Sequence, residues 1–283
     1  MDDRADSPLI TAIILTWNSR GHVGRCLDTL ERIAAGMTVE VFVVDNGSTD
    51  GTADIVAARS PATRFAAFHL IRLATNRGTT WSRNLAIRQS RGRYLLVLDA
   101  DAEVLPGAVE TLVGEVRDQA RVGIVGPRLL GPDGSTQPGC KRFPTLRTKI
   151  LKVLPGAQPQ GLARDDELYA QALYEGDAVR DVDYCISAAW LVNVAAVREV
   201  GLLDERIFYA PEDVDYCLRM WQHGWRVRYH PGARVIHHTQ RVSYQSMRMM
   251  LLHAWGLAYH FRKHRYLWSR ESLYRRLPRG NSA

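Results

Sequence analysis

The chain has only four cysteines in 283 residues, and none is spaced as CxxC or paired with histidines in a zinc pattern. That argues against a disulfide framework and a cysteine-ligated metal centre. Cys26, Cys140, Cys185 and Cys217 are expected as reduced thiols. No run approaches the ~18 uninterrupted apolar residues of a membrane span. The first seven residues are acidic and polar, unlike a signal peptide. A cytoplasmic location is therefore expected. A GxGxxG turn is also missing after the first apolar run, where Thr16-Trp17-Asn18 stands instead. This argues against a nicotinamide-dependent oxidoreductase. Acids are scarce in residues 241–283, which hold nine Lys/Arg and only Glu271, a local charge of +8. The other 240 residues therefore carry −1 of the net +7. Such a distribution excludes a nucleic-acid surface spread over the whole fold. It leaves two readings for the tail: a cationic partner for an anionic membrane face, or a solvated helix face.

The sequence is 46% apolar, enough for a sizeable core. Short β-branched runs alternate with helical patterns through the first half. Strands are predicted at Leu9–Leu15, Val39–Val44, Phe68–Leu73, Tyr94–Leu98 and Val122–Val125, with helices at Val23–Ala34, Thr52–Ala58, Trp81–Gln89 and Pro106–Arg117. This rhythm predicts an α/β fold with a mostly parallel central sheet and helices on both faces. Ligands in such sheets bind beyond the carboxyl ends of the strands. Residues 131–183, rich in Pro and Gly, break the rhythm and read as a lid, a docking segment or a plain surface excursion. Beyond them, a strand is predicted at Val182–Ile186, helices at Val192–Val200 and Val214–Gln222, and strands at Arg226–Tyr229 and Val235–His237. A C-terminal helix over Met247–Phe261 has Met250, Ala254, Leu257 and Phe261 on one face. A division into residues 1–240 and a basic amphipathic tail, 241–283, follows.

Two acidic signatures carry the chemistry. Asp99-Ala100-Asp101 ends the apolar run Tyr94–Leu98, and Glu212-Asp213 opens a predicted helix. Carboxylates at a strand end suit a hard divalent cation. A second carboxylate, brought close by folding, can take a proton. Metal plus base is a sufficient kit for moving a group off a diphosphate.

The ordered segments around these acids resemble a known family. They are Ile13 to Asn18, Val43-Val44-Asp45-Asn46-Gly47-Ser48 to Thr52, Asn76-Arg77-Gly78 with Ser82-Arg83-Asn84, and Leu98 to Asp101. Arg142-Phe143-Pro144, Gly201 to Glu205, Tyr209 to Tyr216 and Tyr229 to His237 follow in the family's order. The chain is similar to inverting glycosyltransferases of family 2, which have a GT-A fold, and most of all to their rhamnosyltransferase-like branch. The resemblance covers about residues 9–240.

It implies that Asp45 binds the pyrimidine of a nucleotide, with Thr16 and Asn18 lining the same pocket. Arg83 would reach the nucleotide or its diphosphate. Asp101 would ligate Mn²⁺ or Mg²⁺, and Asp99 would either share the metal or bind the ribose. His237 matches the family's metal-binding histidine, with His238 as the fallback; an imidazole suits Mn²⁺ better. Asp213 would be the general base, and Glu212 would support it or bind acceptor. Arg219 would orient these acids, bridge to diphosphate or make a structural salt bridge. Trp190 stands in the wall near Ile186-Ser187-Ala188-Ala189, where the family commonly has a glycine, which implies a different donor or acceptor preference.

The implied donor is dTDP-rhamnose, with UDP-sugars next. The implied acceptor is a cell-envelope or polyprenyl-linked glycan, and the tail would place the enzyme peripherally on the inner face of the plasma membrane. A non-catalytic nucleotide-sugar-binding protein is the competing class; intact Asp101, Asp213 and His237 argue against it.

Overall fold

The computed structural model describes residues 9–59, 64–153, 167–239 and 247–278. The acidic N-terminal residues, the middle of the 131–183 excursion and both ends of the basic tail fall outside these.

The first half follows the predicted alternation. Strands β1 (Ile10–Thr16), β2 (Val39–Asp45), β3 (Ala67–Arg72) and β4 (Tyr94–Asp99) are parallel neighbours in the order β3-β2-β1-β4. Helices α1 (Val23–Ile33), α2 (Thr52–Arg59), α3 (Thr79–Ile87) and α4 (Ala108–Asp118) surround them. The strands are apolar on both faces because helices cover both. Ile10, Ala12 and Ile14 of β1 pack with α1 and α4, while Ile13 faces the opposite cluster with Ala86 of α3.

The second half departs from simple parallel winding. The sheet continues β4-β11-β6-β12-β5, with β5 at Ala102–Val104, β6 at Val122–Leu130, β11 at Ala189–Asn193 and β12 at Arg226–His237. β11 runs antiparallel between β4 and β6. The sequence pattern instead predicts a helix over Val192–Val200, which overlaps the end of this strand. The helix, α7 (Val194–Val200), starts only after Asn193, whose side chain accepts a hydrogen bond from the Ala195 N–H. The preceding Trp190-Leu191-Val192 is β-prone and fully buried between two strands, so tertiary pairing wins there. The two strands predicted at 226–229 and 235–237 are one long strand with a register shift at His230–Arg234, where Pro231 interrupts the ladder.

The 131–183 excursion is partly regular. β7 (Thr136–Gln137) folds back on β6, and β9 (Arg180–Asp181) pairs with β12. β8 (Cys140–Lys141) pairs with β10 (Tyr184–Cys185), all that forms of the strand predicted over Val182–Ile186. Helices α5 (Leu146–Val153) and α6 (Gln171–Glu175) complete it. All four cysteines are buried and free.

Helix α8 (Glu212–Gln222) begins two residues earlier than predicted, so Glu212, Asp213 and Asp215 share its first turn. Helix α9 (Met247–His264) and the short α10 (Glu271–Tyr274) pack on the main domain through Phe261, Tyr266 and Leu273. Among the described residues no helix is long and apolar enough to cross a membrane.

Candidate active site

Parallel pairing aligns the carboxyl ends of β1, β2 and β4, with Thr16 opposite Asp45 and Leu15 opposite Asp99. Asp45 is buried. Its Oδ1 accepts from Thr16 Oγ1 at 2.8 Å and Ser48 Oγ at 2.5 Å, and its Oδ2 accepts from the Ser48 N–H at 3.1 Å. That uses three of about four acceptor positions on a carboxylate. Thr16 is fully buried and holds Asp45 rather than lining an open pocket. Asn18, with φ of +49°, ties two loops: its Oδ1 accepts from the Thr49 N–H at 2.9 Å, and its own N–H donates to Ser48 Oγ.

Asp101 and His237 meet through a strand pairing that the sequence did not reveal. β5 runs antiparallel to β12, which sets Ala102 opposite His237, and the His238 N–H donates to the Asp101 carbonyl. His237 Nε2 lies 3.6 Å from Asp101 Oδ1. Ligand atoms of Asp99, Asp101 and His237 all lie within 4.8 Å of one another. Gln137 and Thr239 contact the other ring nitrogen, Nδ1, at 3.3 and 3.2 Å, which turns Nε2 toward the acids. Burial, and then the charge of Asp99, raise the Asp101 carboxyl above its ordinary value. Two carboxylates and an imidazole at this spacing suit Mn²⁺ or Mg²⁺, whose charge would offset that repulsion. His238 is not needed as a substitute; its Nε2 contacts Glu103 at 2.7 Å instead.

The second acidic signature reaches the first through Arg83. Its Nη2 donates to Asp99 Oδ1 at 2.7 Å and to the Ser187 carbonyl at 3.1 Å, while Nη1 lies 3.5 Å from Glu212 Oε1. The guanidinium is 1% exposed, so it is committed to carboxylates rather than open to a phosphate, contrary to expectation. Its neighbours on α3 complete the junction. Ser82 Oγ donates to Asn46 Oδ1, and the Asn84 side chain pairs with the Leu203 backbone at 2.9 and 3.0 Å. Thr79 N–H and Thr80 Oγ1 each donate at 2.6 Å to the carbonyls of Phe208 and Ile207. Thr79, Thr80 and Asn84 of α3 therefore fix the loop that delivers α8.

Glu212 is buried and also accepts from Ser187 Oγ at 2.9 Å. Burial, followed by the charge of Asp213, pushes its carboxyl up to about 8. Asp213 is half-buried, and its Oδ1 accepts from the Val214 N–H at 2.8 Å. Burial raises its carboxyl too, opposed by that hydrogen bond and by Lys141, Arg83 and Lys149. Both carboxyls are raised, so the pair retains a proton more readily than two separate carboxyls would and titrates as a unit.

One expectation fails on burial. Trp190 is 1% exposed, donates from Nε1 to the Cys185 carbonyl at 3.0 Å and stacks on Tyr216, so it belongs to the core. Ser187, three residues earlier, is the residue of that wall that touches the acids. Arg219 resolves to a structural clamp on the carbonyls of Leu202 (2.7 Å) and Val200 (2.5 Å). Asp215 on the same helix is buried and accepts from Lys263 Nζ at 2.7 Å, with His264 Nε2 at 2.8 Å. Burial would raise its carboxyl, but these partners hold it below its ordinary value. Asn46, Gln137 and Ser187 were missed as supporting residues. Asn46 and Ser187 lay inside quoted motifs, whereas nothing near Gln137 signalled its role.

Residues 11–162 match the family model described as Glycosyl transferase family 2. An N-acetylglucosaminyl-diphospho-decaprenol L-rhamnosyltransferase of Mycobacterium tuberculosis is 30% identical over 242 residues, covering 81% of this chain and 76% of that protein. Two solved glycosyltransferases share the fold. GalNAc-T7, solved with UDP, GalNAc and Mn²⁺, aligns with a TM-score of 0.61 at 15% identity over 83% of this chain. A mannosyltransferase from Pyrobaculum calidifontis, solved with GDP-Man and Mn²⁺, aligns with a TM-score of 0.58 at 20% identity over 92% of this chain. The chain spans 44% and 64% of those two structures' lengths.

Proposed function

Because this chain belongs to glycosyltransferase family 2, we propose that it catalyses a metal-dependent, inverting transfer of rhamnose from dTDP-rhamnose to a hydroxyl of a lipid-linked glycan. UDP-sugars are the next donor class. The rhamnosyl assignment and the lipid-linked acceptor are supported by the mycobacterial relative, a rhamnosyltransferase named for a decaprenyl-diphosphate-linked substrate. The contact that supports the transfer chemistry most is Arg83, which joins Asp99 of the strand-end acids to Glu212 beside Asp213.

Asp99, Asp101 and His237 would hold the cation. Bound there, it would neutralise charge on the diphosphate leaving group. Asp45 keeps one acceptor position for a ring N–H of the base. Asp213 takes the proton of the acceptor hydroxyl as that oxygen attacks the anomeric carbon. The C–O bond to the diphosphate breaks on the opposite face, and the nucleotide diphosphate departs. Glu212, protonated, keeps a second negative charge away from the incoming hydroxyl, so the ionised form of the pair is the one that serves as base. No protein nucleophile is required.

A melting-temperature screen of nucleotide sugars with and without Mn²⁺ tests the donor. A ligand at ~100 times its Kd stabilises by about 2.7 kcal/mol, roughly 5–10 °C for a chain of this size. Asp213→Asn is expected to keep that shift and to abolish transfer. Full turnover by Asp213→Asn would remove Asp213 as base, and a flat response to every nucleotide would overturn the donor reading.

A further inference from the structure

We propose that the groove between α5 and α9 binds the isoprenoid diphosphate portion of the acceptor. This deepens the lipid-linked reading above and rests on it. The groove has a volume of about 650 Å³, within the range of sites that hold ligands of a few hundred daltons. Its apolar lining is Leu146, Ala254, Leu257, Phe261, Tyr266 and Leu267, together with Ala258. Three cations share it: Lys149, Arg262 and Arg265. Arg262 and Arg265 are exposed and have no carboxylate within ion-pair distance among the described residues. An apolar floor with a cationic rim fits an amphiphile with an apolar chain and an anionic head, and fits neither a free sugar nor an uncharged lipid as well.

Position joins this groove to the acceptor side. Gly256, on the turn of α9 that carries Ala254 and Leu257, lies against the chain at Ala210: a Cβ there would stand 2.1 Å from the Ala210 carbonyl oxygen. Ala210 and Pro211 lead directly into Glu212 and Asp213. Lys149, at the groove's edge, is ion-paired with the buried Glu167 at 3.1 Å, and its charge also opposes the rise of the Asp213 carboxyl. A diphosphate held in the groove would leave the sugar it carries on the side of the Ala210–Asp213 segment. On the outer side, Leu251 and Trp255 are 65% and 67% exposed and extend the apolar stripe of α9 along the mouth of the groove. That path gives the rest of a long prenyl chain somewhere to lie.

The test uses the full-length chain. Farnesyl diphosphate, farnesol and inorganic pyrophosphate are titrated by calorimetry, alongside the nucleotide-sugar melting shift. Farnesyl diphosphate is expected to bind at least tenfold more tightly than pyrophosphate or farnesol. Ala258→Glu, on the exposed wall of the groove, is expected to weaken it at least tenfold and leave the nucleotide-sugar shift unchanged. Arg262→Glu with Arg265→Glu is a second variant, expected to weaken it similarly. Equal affinity for pyrophosphate, or undiminished binding by both variants, would overturn the groove assignment. So would flotation with phosphatidylglycerol vesicles that farnesyl diphosphate does not compete away, since a bilayer would then be the occupant. A wild-type chain that binds farnesyl diphosphate selectively but answers to no nucleotide sugar would support the groove and sink the donor reading instead.

Discussion

Arg83 holds two carboxylates that belong to opposite ends of the proposed reaction. Removing it, as in Arg83→Met, leaves Asp99 and Glu212 without their shared cation. Asp99 is 39% exposed at its side chain, so water replaces part of the loss there. Glu212 can take a proton. The cost is therefore expected at the low end for a broken buried pair, about 3 kcal/mol, read as a fall of roughly 6–12 °C in melting temperature. Glu212 gives a pH signature. Its folded carboxyl is raised from 4.5 to about 8, so its stability contribution is complete below pH 4.5 and is lost as pH rises toward 8. Glu212→Gln can still accept from Ser187 and cannot ionise. The variant is expected to match the parent near pH 4.5 and to melt several degrees higher at pH 8.5, in parallel melting curves across that range. Much of this was legible in the sequence. A DxD after five apolar residues and an acid pair before a helix marked the right segments. The fate of Arg83 was not legible, because a polar helix start gives no sign that a buried guanidinium will sit between two acids. Trp190 misled for the converse reason: burial by neighbouring strands is not visible in a short motif.

At the scale of elements, α9 was read for its apolar stripe and its basic end, which fitted either a membrane surface or a packed helix. Both kinds of face are present on one helix. His260, Phe261 and His264 are buried against the domain, while Met250, Leu251 and Trp255 face outward. Lys263 reaches Asp204 at 2.8 Å and Asp215 at 2.7 Å, so part of the basic cluster is spent on docking. The approach at Gly256 is set by backbone, which cannot yield as a side chain would. Gly256→Val is expected to lift α9 from the 210–211 loop. Earlier proteolysis within residues 247–278 and a lower melting temperature would report it, and an unchanged melting curve would show that the loop gives way. The parallel half of the sheet was legible because helix and strand periods alternate there cleanly. β11 was not, because its four apolar residues and Asn193 run straight into a helix with no turn between to mark the switch. β5 is three residues long, below what pattern alone can separate from a loop.

For the whole molecule, the boundary drawn at residue 240 separates composition more than structure. Phe261, Tyr266 and Leu273 complete one of the two core clusters that flank the sheet. A chain ending at Thr239 would expose that cluster and leave Asp215 buried without Lys263 and His264. It is expected to be poorly soluble and to lose at least about 3 kcal/mol, measured by soluble yield and melting temperature beside the full chain. The tail's cations then have two destinations: Lys263 is paired internally with Asp204 and Asp215, while Arg262 and Arg265 lie exposed at the end of α9. The antiparallel joining of β5 to β12 also bears on timing. His238 contacts Glu103 across 135 residues, and Gln137 reaches the His237 backbone across 100. Contacts so distant along the chain close late and slowly. On the ribosome, Asp99 and Asp101 emerge long before their histidine does. A nascent chain therefore passes through most of its synthesis with the acids made and the histidine absent, and the proposed cation site is assembled only when the last strand of the sheet zips home.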